Sequence, residues 1–275
     1  MTAGTALLSA AIAIAVLMLG TWLLSLLLRN ASIVDIVWGL GFVVVAWVVR
    51  VQGDTQTARQ WLLVVLVTIW GLRLAGYLFW RNHGEPEDYR YRAMRRRWGD
   101  RFPLVSLLTV FTLQGVLMWI VSLPVQLGQV PDEPGLGALA VLGTIVWLVG
   151  FAFEAGGDYQ LARFKSDPAN EGKVMDRGFW RYTRHPNYFG DACAWWGIAI
   201  VAAESGLGAW GIIGAVVMTV LLLRVSGVAL LETSLKKRKP EYQAYIDRTS
   251  AFFPLPPRSS SRNSSPGSGA TGDAT

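Results

Sequence analysis

The densest run of residues able to do chemistry is Gly178-Phe179-Trp180-Arg181-Tyr182-Thr183-Arg184-His185-Pro186-Asn187-Tyr188-Phe189-Gly190-Asp191. Pro186 lacks only an N–H that the first turn of a helix leaves unused, so a helix is expected to begin there. On that helix Asn187 and Asp191 stand four residues apart and share a face. Arg184 and His185 come just before its N-terminus, where free backbone amides already favour negative charge. Two cationic side chains at such a place make a phosphate or carboxylate site. The plainer alternative is a basic loop that ends a helix. Upstream, Glu154, Asp158 and Lys165 share a face if one helix runs through all three, with Asn170 and Lys173 in the loop beyond. Carboxylates placed this way receive ribose hydroxyls or an adenine amine, or belong to a simple surface charge pattern.

The elements that position these residues follow from composition. Of 275 residues, 52% are hydrophobic and only 16% charged, against roughly 25% charged in a soluble domain. The apolar residues come in runs of bilayer-spanning length, which excludes an ordinary soluble enzyme and a disordered chain. One cysteine, Cys193, excludes a disulfide framework, and two histidines, His83 and His185, leave too few ligands for a zinc cluster. Seven helices are expected, near 5–28, 33–50, 61–80, 103–123, 136–156, 187–204 and 207–231. The first has no basic n-region and too long an apolar stretch for a cleaved signal. Glu204-Ser205-Gly206 reads as the tight turn between the last two. Beyond Pro257 the chain turns to Ser, Gly, Asn, Thr and Asp, so 1–257 is expected to be one polytopic domain and 258–275 a disordered tail. No internal repeat is evident, which weighs against transporter folds built from two related halves.

Loop charge orients the bundle. Segment 81–102 carries Arg81, Arg90, Arg92, Arg95, Arg96, Arg97 and Arg101; segment 157–186 carries Arg163, Lys165, Lys173, Arg177, Arg181 and Arg184; Lys236-Lys237-Arg238-Lys239 follows the last span. Segment 124–135 has no Lys or Arg, and 51–60 has only Arg59. Alternate loops are basic, so the expected protein is all-α and integral to the membrane, with the N-terminus outside and the C-terminus cytoplasmic. Topology then accounts for the net charge of +6, and nucleic acid is not an expected partner.

Ionisable residues within spans are costly and mark a cavity or a partner. Here Asp35, Arg73, Glu154, Asp158, Asp191, Arg224 and Glu232 all fall in the half next to the basic loops. Snorkelling and helix-end capping explain Asp35 and Glu232, but Arg73 and Arg224 lie too deep for that. The set predicts a polar cavity open to the cytoplasm, roofed by an apolar chamber, with the outer half of the bundle apolar. Among weaker signals, Asp35-Ile36-Val37-Trp38-Gly39-Leu40-Gly41 sets an acid beside a tryptophan, and Gly39 and Gly41 lack the spacing of a helix-packing motif. Gln114 reads as glue between helices. Glu85-Pro86-Glu87-Asp88-Tyr89-Arg90-Tyr91 reads as a lid or an ordered edge. There is no glycine-rich phosphate loop, so a nucleotide would be held by the bundle and its loops.

The Arg184-His185-Pro186-Asn187-Tyr188-x-Gly190 segment, its Gly178-x-x-x-Tyr182 lead-in and the distal Glu232…Pro240-Glu241-Tyr242-x-x-Tyr245…Phe253-x-x-Pro resemble the C-terminal half of two related groups. One comprises the steroid 5-alpha-reductases and their bacterial branch, DUF1295. The other comprises the isoprenylcysteine carboxyl and phospholipid methyltransferases. Asn187 with Asp191, Asp158-Tyr159 with Lys165, and Arg73 on the third span are similar to the reductases, whose corresponding residues face NADPH. The Asp35–Gly41 and Trp70–Arg73 stretches look like the bacterial branch, so the resemblance covers roughly 30–255.

The resemblance implies an NADPH-dependent reductase of a carbon–carbon double bond in a lipid or steroid-like substrate, multi-pass in a bacterial inner membrane. The cofactor pocket is expected mainly from 150–255. Its expected contacts are Arg73, Asp158, Lys165, Tyr182, Arg184, His185, Asn187, Tyr188, Asp191 and Glu232. The reductases address a substrate ketone with a glutamine–glutamate pair on the second span and a tyrosine on the third. This chain has Asp35 and Trp38 on the second span and Trp70 near that tyrosine's place, which speaks against a 3-oxo steroid. Asp35 is the expected proton donor. An S-adenosylmethionine-dependent methyltransferase acting on a lipid or prenylated substrate is the alternative implied by the second group. A non-catalytic lipid-binding or scaffold protein is the alternative from a different class.

Overall fold

A computed structural model describes residues 1–53, 57–131, 135–225 and 241–258. All its regular elements are helical. They are α1 (Ala3–Leu27), α2 (Ile33–Val51), α3 (Ala58–Asn82), a short α4 (Tyr89–Trp98), then α5 (Phe102–Ser106) and α6 (Leu113–Val121). A π-helical turn, Leu107–Thr112, joins α5 to α6 in one rod. After α7 (Leu123–Leu127) come α8 (Ala138–Ser166), α9 (Pro186–Ala202), α10 (Ile212–Val220) and α11 (Tyr242–Arg248).

Five rods are long and apolar enough to cross a bilayer: Ala3–Leu27, Ile33–Val51, Ala58–Asn82, Tyr89–Val121 and Ala138–Ser166. Their outer faces carry Leu8, Ile12, Val16, Val65, Leu72, Leu108 and Leu148 in the open, which water would not tolerate in such number. This is an integral, multi-pass membrane protein. The sixth expected span is a helix of 17 residues starting at Pro186, as its proline predicts. The seventh is Gly208–Arg224 within the described residues. Residues 226–231 of the expected seventh span, Glu232, and all of the expected tail but Arg258 lie outside the described residues.

Successive rods run antiparallel, and small residues set the closest approaches. On α8 Gly143, Gly150 and Gly157 recur every seven residues and meet α9. A Cβ on Gly143 would stand 2.6 Å from the Gly197 carbonyl, and one on Gly150 would stand 2.5 Å from the Ala194 amide. Backbones this close place Glu154 against Gly190 and Asp158 beside Asn187. Between α2 and α3 a Cβ on Gly39 would stand 2.6 Å from the Gly71 carbonyl, while Gly41 is covered by Met118. Gly39 and Gly41 therefore both admit close packing, each against a different partner, which a spacing rule within one helix overlooks.

Two loops brace the helix ends. Glu204, in the turn after α9, accepts a bond from the Ala140 amide at 2.7 Å and so caps the positive end of α8. The 85–88 segment is an ordered edge rather than a lid. Glu87 accepts from the Ala31 amide at 2.8 Å, and the Asp88 amide donates to Ser32 Oγ at 2.7 Å, tying α4 to the α1–α2 turn.

Candidate functional site

At the end where the basic loops converge, α3, α8 and α9 meet through one polar chain. Arg73 Nη1 stands 2.7 Å from Asp158 Oδ2, and Nη2 stands 2.6 Å from Glu154 Oε1. The second oxygen of each carboxylate is also taken. Trp70 Nε1 donates to Glu154 Oε2 at 2.8 Å, and Asn187 Nδ2 donates to Asp158 Oδ1 at 3.1 Å. Glu154 and Asp158 lie one turn apart on α8, opposite Asn187 and Asp191, one turn apart on the antiparallel α9. The expected face sharing is thus what assembles the cluster. Asp191 adds a third carboxyl whose Oδ1 is buried and has no hydrogen-bond partner among the described residues. A buried acceptor left this way costs about 1–3 kcal/mol unless a proton or a ligand donor meets it.

Toward the middle of the bundle the cluster is sealed by rings. Phe42, Trp70 and Trp195 are fully buried, with centroids 4.6 Å (Phe42–Trp195), 5.3 Å (Trp70–Trp195) and 5.6 Å (Phe42–Trp70) apart. Between α2, α3 and α9, at this level, the protein's own rings fill the space where an apolar chamber was expected.

Two cavities flank the cluster, one reached by Asn187 and the other by Arg73 and Asp158. One, of about 250 Å³, is lined by Arg81, Lys165, Arg184, His185, Asn187, Tyr188, Tyr242 and Tyr245 together with Leu161, Val174, Met175 and Trp180. It draws on the basic segments 81–102 and 157–186 and has no acid among its described lining residues. His185 and Tyr188 stack on its wall, centroids 5.4 Å apart and planes 3° from parallel. The other, of about 490 Å³, lies between α3 and α8 and is lined by Arg73, Tyr77, Trp80, Ala155, Asp158, Tyr159, Ala162, Arg163 and Ser166.

The expected residues divide accordingly. Arg73, Asp158, Asn187 and Asp191 gather in the polar cluster. Lys165, Arg184, His185, Asn187 and Tyr188 line the smaller cavity. Arg184, however, is not simply a cation awaiting an anion. Its Nη1 donates to the carbonyls of Ile246 and Thr249, closing the end of α11, and its backbone amide donates to Ser250 O at 2.9 Å. Tyr182 points away: it is exposed and lines neither cavity. Asp35 also stands apart. It accepts from Tyr91 Oη at 2.9 Å and from Arg90 Nη2 at 3.2 Å, and lines neither cavity, since the α4 loop has closed over the start of α2. Glu232 is outside the described residues. Arg224 is exposed at the end of its helix.

Several residues of the site were not singled out as contacts. Glu154 was legible on one face with Asp158 and Lys165 and as an inner-half acid, but not among the expected cofactor contacts. Arg81 was one arginine among seven in its loop. Tyr242 and Tyr245 stood in a distal motif that nothing local ties to Arg184. The Tyr245 hydroxyl, buried, donates to the Trp180 carbonyl and locks α11 under the loop before α9, and burial raises its pKa. A heptad of glycines on α8 was the available signal for Glu154, because it marks the face that meets α9.

The far end of the bundle overturns one expectation, because it is not apolar. Arg50, Arg59, Gln60, Gln126 and Gln129 are all buried there. Gln60 Nε2 donates to Gln129 O at 2.8 Å. Gln129 Nε2 donates to Ala46 O at 3.2 Å and Val125 O at 3.1 Å. Arg50 lies over the Trp61 ring at 4.8 Å. Mid-span, Gln114 makes no side-chain hydrogen bond among the described residues, so its expected role as glue is not seen.

A family described as "Protein of unknown function (DUF1295)" matches residues 21–249. No curated protein and no solved structure matches the chain.

Proposed function

We propose that this chain, which belongs to the DUF1295 family, is a membrane reductase that uses NADPH to saturate a carbon–carbon double bond in a lipid-like substrate. In this reading seven helices cross a bacterial inner membrane, with the N-terminus outside and the basic end in the cytoplasm. The observation that carries the reading is the smaller cavity. Arg81, Lys165, Arg184 and His185 line it without an acid among the described residues, beside the ring faces of Tyr188, Tyr242 and Tyr245. A basic, aromatic lining fits a polyanionic dinucleotide and opposes S-adenosylmethionine, whose sulfonium adds a positive charge.

At about 250 Å³ the cavity takes one half of a dinucleotide, with the remainder beyond its described lining. Arg81 and Lys165 would hold phosphate oxygens. Asn187, bonded to Asp158, would orient the polar edge of the group beside it. Asp191 Oδ1, buried and without a hydrogen-bond partner among the described residues, offers an acceptor to a ligand amide or hydroxyl. When bound, NADPH supplies a hydride at this junction. The proton for the other carbon has a better-placed source than Asp35. Tyr77 lines the larger cavity, and the Arg81 guanidinium lies 5.7 Å from its ring centroid.

Thermal-shift titration of the detergent-purified protein with NADPH, NADH and S-adenosylmethionine tests the reading. Saturation at one hundred times Kd stabilises the folded state by about 2.7 kcal/mol. A shift with NADPH, lost in Arg81→Ala and Asn187→Ala, is the expected result. A shift with S-adenosylmethionine alone makes the protein a methyltransferase, and no shift with any of the three favours a scaffold.

A further inference from the structure

We infer that the cleft between α3 and α8 binds a long-chain amphiphile with an anionic head, a carboxylate or a phosphate, and that this is the substrate class of the reductase. The binding stands on the cleft itself; calling the amphiphile a substrate rests on the reductase reading. The two helices are clamped at one level, where Trp70 and Arg73 hold Glu154 and Asp158. Toward the basic end they part. On α8 the stripe that faces the gap is Ala155, Asp158, Ala162 and Ser166, with side chains too small to fill it. On α3 the stripe is Arg73, Tyr77 and Trp80, three residues on one face at helical spacing.

The chemistry is graded along the gap. Its floor is the Arg73–Asp158 ion pair. Its walls are the Tyr77 ring and two alanines. Its mouth carries Trp80, 64% exposed, and Tyr159, 63% exposed, beside Arg163. Arg163 is exposed and forms no ion pair with another described residue. Tryptophan, tyrosine and an arginine at the end of a membrane-spanning pair is the composition of the headgroup level, where ring and stem sit in the acyl region and the charge meets an anion. At about 490 Å³ the cleft takes a head and the first methylenes, leaving the chain to run out between the helices into the bilayer.

The cleft also lies next to the cavity proposed for the cofactor. Asp158 lines the cleft, where it pairs with Arg73, and accepts a hydrogen bond from Asn187, which lines the smaller cavity. One hydrogen bond, from Asn187 to Asp158, thus links the linings of the two cavities.

The test uses the full-length chain in zwitterionic nanodiscs and four photoactivatable hexadecyl probes that differ only in the head: carboxylate, phosphate, phosphocholine and trimethylammonium. The expected result is labelling of residues 77–80 and 155–166 by the two anionic probes, at least tenfold above the cationic one. Ala162→Trp, which fills the gap, should reduce that labelling tenfold or more. Arg163→Gln, an exposed change that leaves the fold intact, should remove the preference for anionic heads. Both variants should keep the wild-type melting temperature and any NADPH-induced shift. Equal labelling by the cationic or phosphocholine probe overturns the anionic assignment, and labelling that survives Ala162→Trp overturns the cleft. Anionic labelling at these residues in a protein that shows no NADPH shift upholds the binding site and removes the reductase reading alone.

Discussion

The bundle buries polar side chains at both ends, and the two layers differ in what their hydrogen bonds reach. At the far end Gln60, Gln126 and Gln129 direct their amides mainly to backbone carbonyls of neighbouring helices and turns, and no cavity described above opens on them. At the basic end Arg73, Glu154, Asp158 and Asn187 bond to one another, side chain to side chain, and two cavities are lined by members of that network, one by Arg73 and Asp158 and the other by Asn187. Amides that reach main chain pin helices at a fixed distance. A charged network held only by its own members keeps its edges available to a ligand. The first pattern is what a membrane bundle needs to stay together, and the second is what a site needs.

Four changes test that contrast. Asp158→Ala leaves Arg73 paired with Glu154 alone and strips Asn187 of its acceptor. Removing one partner of a buried ion pair costs about 3–5 kcal/mol. A large fall in melting temperature and complete loss of the NADPH shift are expected, and a near-wild-type melt would show that the network is not buried as described. Gly150→Ala forces α8 and α9 apart where a Cβ would stand 2.5 Å from the Ala194 amide. Overpacking of this kind costs about 1–3 kcal/mol, and stretching the Asn187–Asp158 bond should weaken NADPH binding several-fold.

At the far end, Gln129→Leu removes two hydrogen bonds to carbonyls that belong to helices, at a cost of about 1 kcal/mol. The NADPH shift should stay as in the wild type; a lost shift would mean that the two layers communicate. Smallest is Asp88→Ala, which removes the N-cap of α4, a change worth about 1 kcal/mol. Burial raises the pKa of Asp88, but hydrogen bonds from the Arg90 side chain and backbone, with the charge of Arg90, lower it further, so the folded value lies below the ordinary one. The stabilisation is therefore present above the ordinary carboxylate pKa of about 3.9 and lost as pH falls through the lower folded value. Melts of wild type and variant should differ near neutral pH and converge in acid.

The site was legible to different depths. Pro186 announced the start of α9, and the four-residue spacings of Asn187–Asp191 and Glu154–Asp158 announced two faces. That those faces meet follows from a glycine heptad whose meaning depends on a second helix. Arg184 shows the opposite limit. Its place before a helix N-terminus reads locally as an anion site, yet its guanidinium turns to α11, about sixty residues further along the chain. Asp35 was legible as a costly intramembrane acid but not as the partner of Tyr91 and Arg90, because the α4 loop reaches it only in the folded chain.

Hydrophobic runs of bilayer length and the alternation of basic with neutral loops depend only on residue type and order, so the sequence by itself determined a helical membrane protein and which loops carry its positive charge. The five long apolar helices bear out the first of these. Which acid pairs with Arg73, whether a deep chamber stays open, and which arginine braces a turn instead of meeting a ligand were decided by tertiary structure. Those outcomes hang on how closely two backbones approach and which carbonyls are left without a donor, and neither quantity is local to any stretch of the chain.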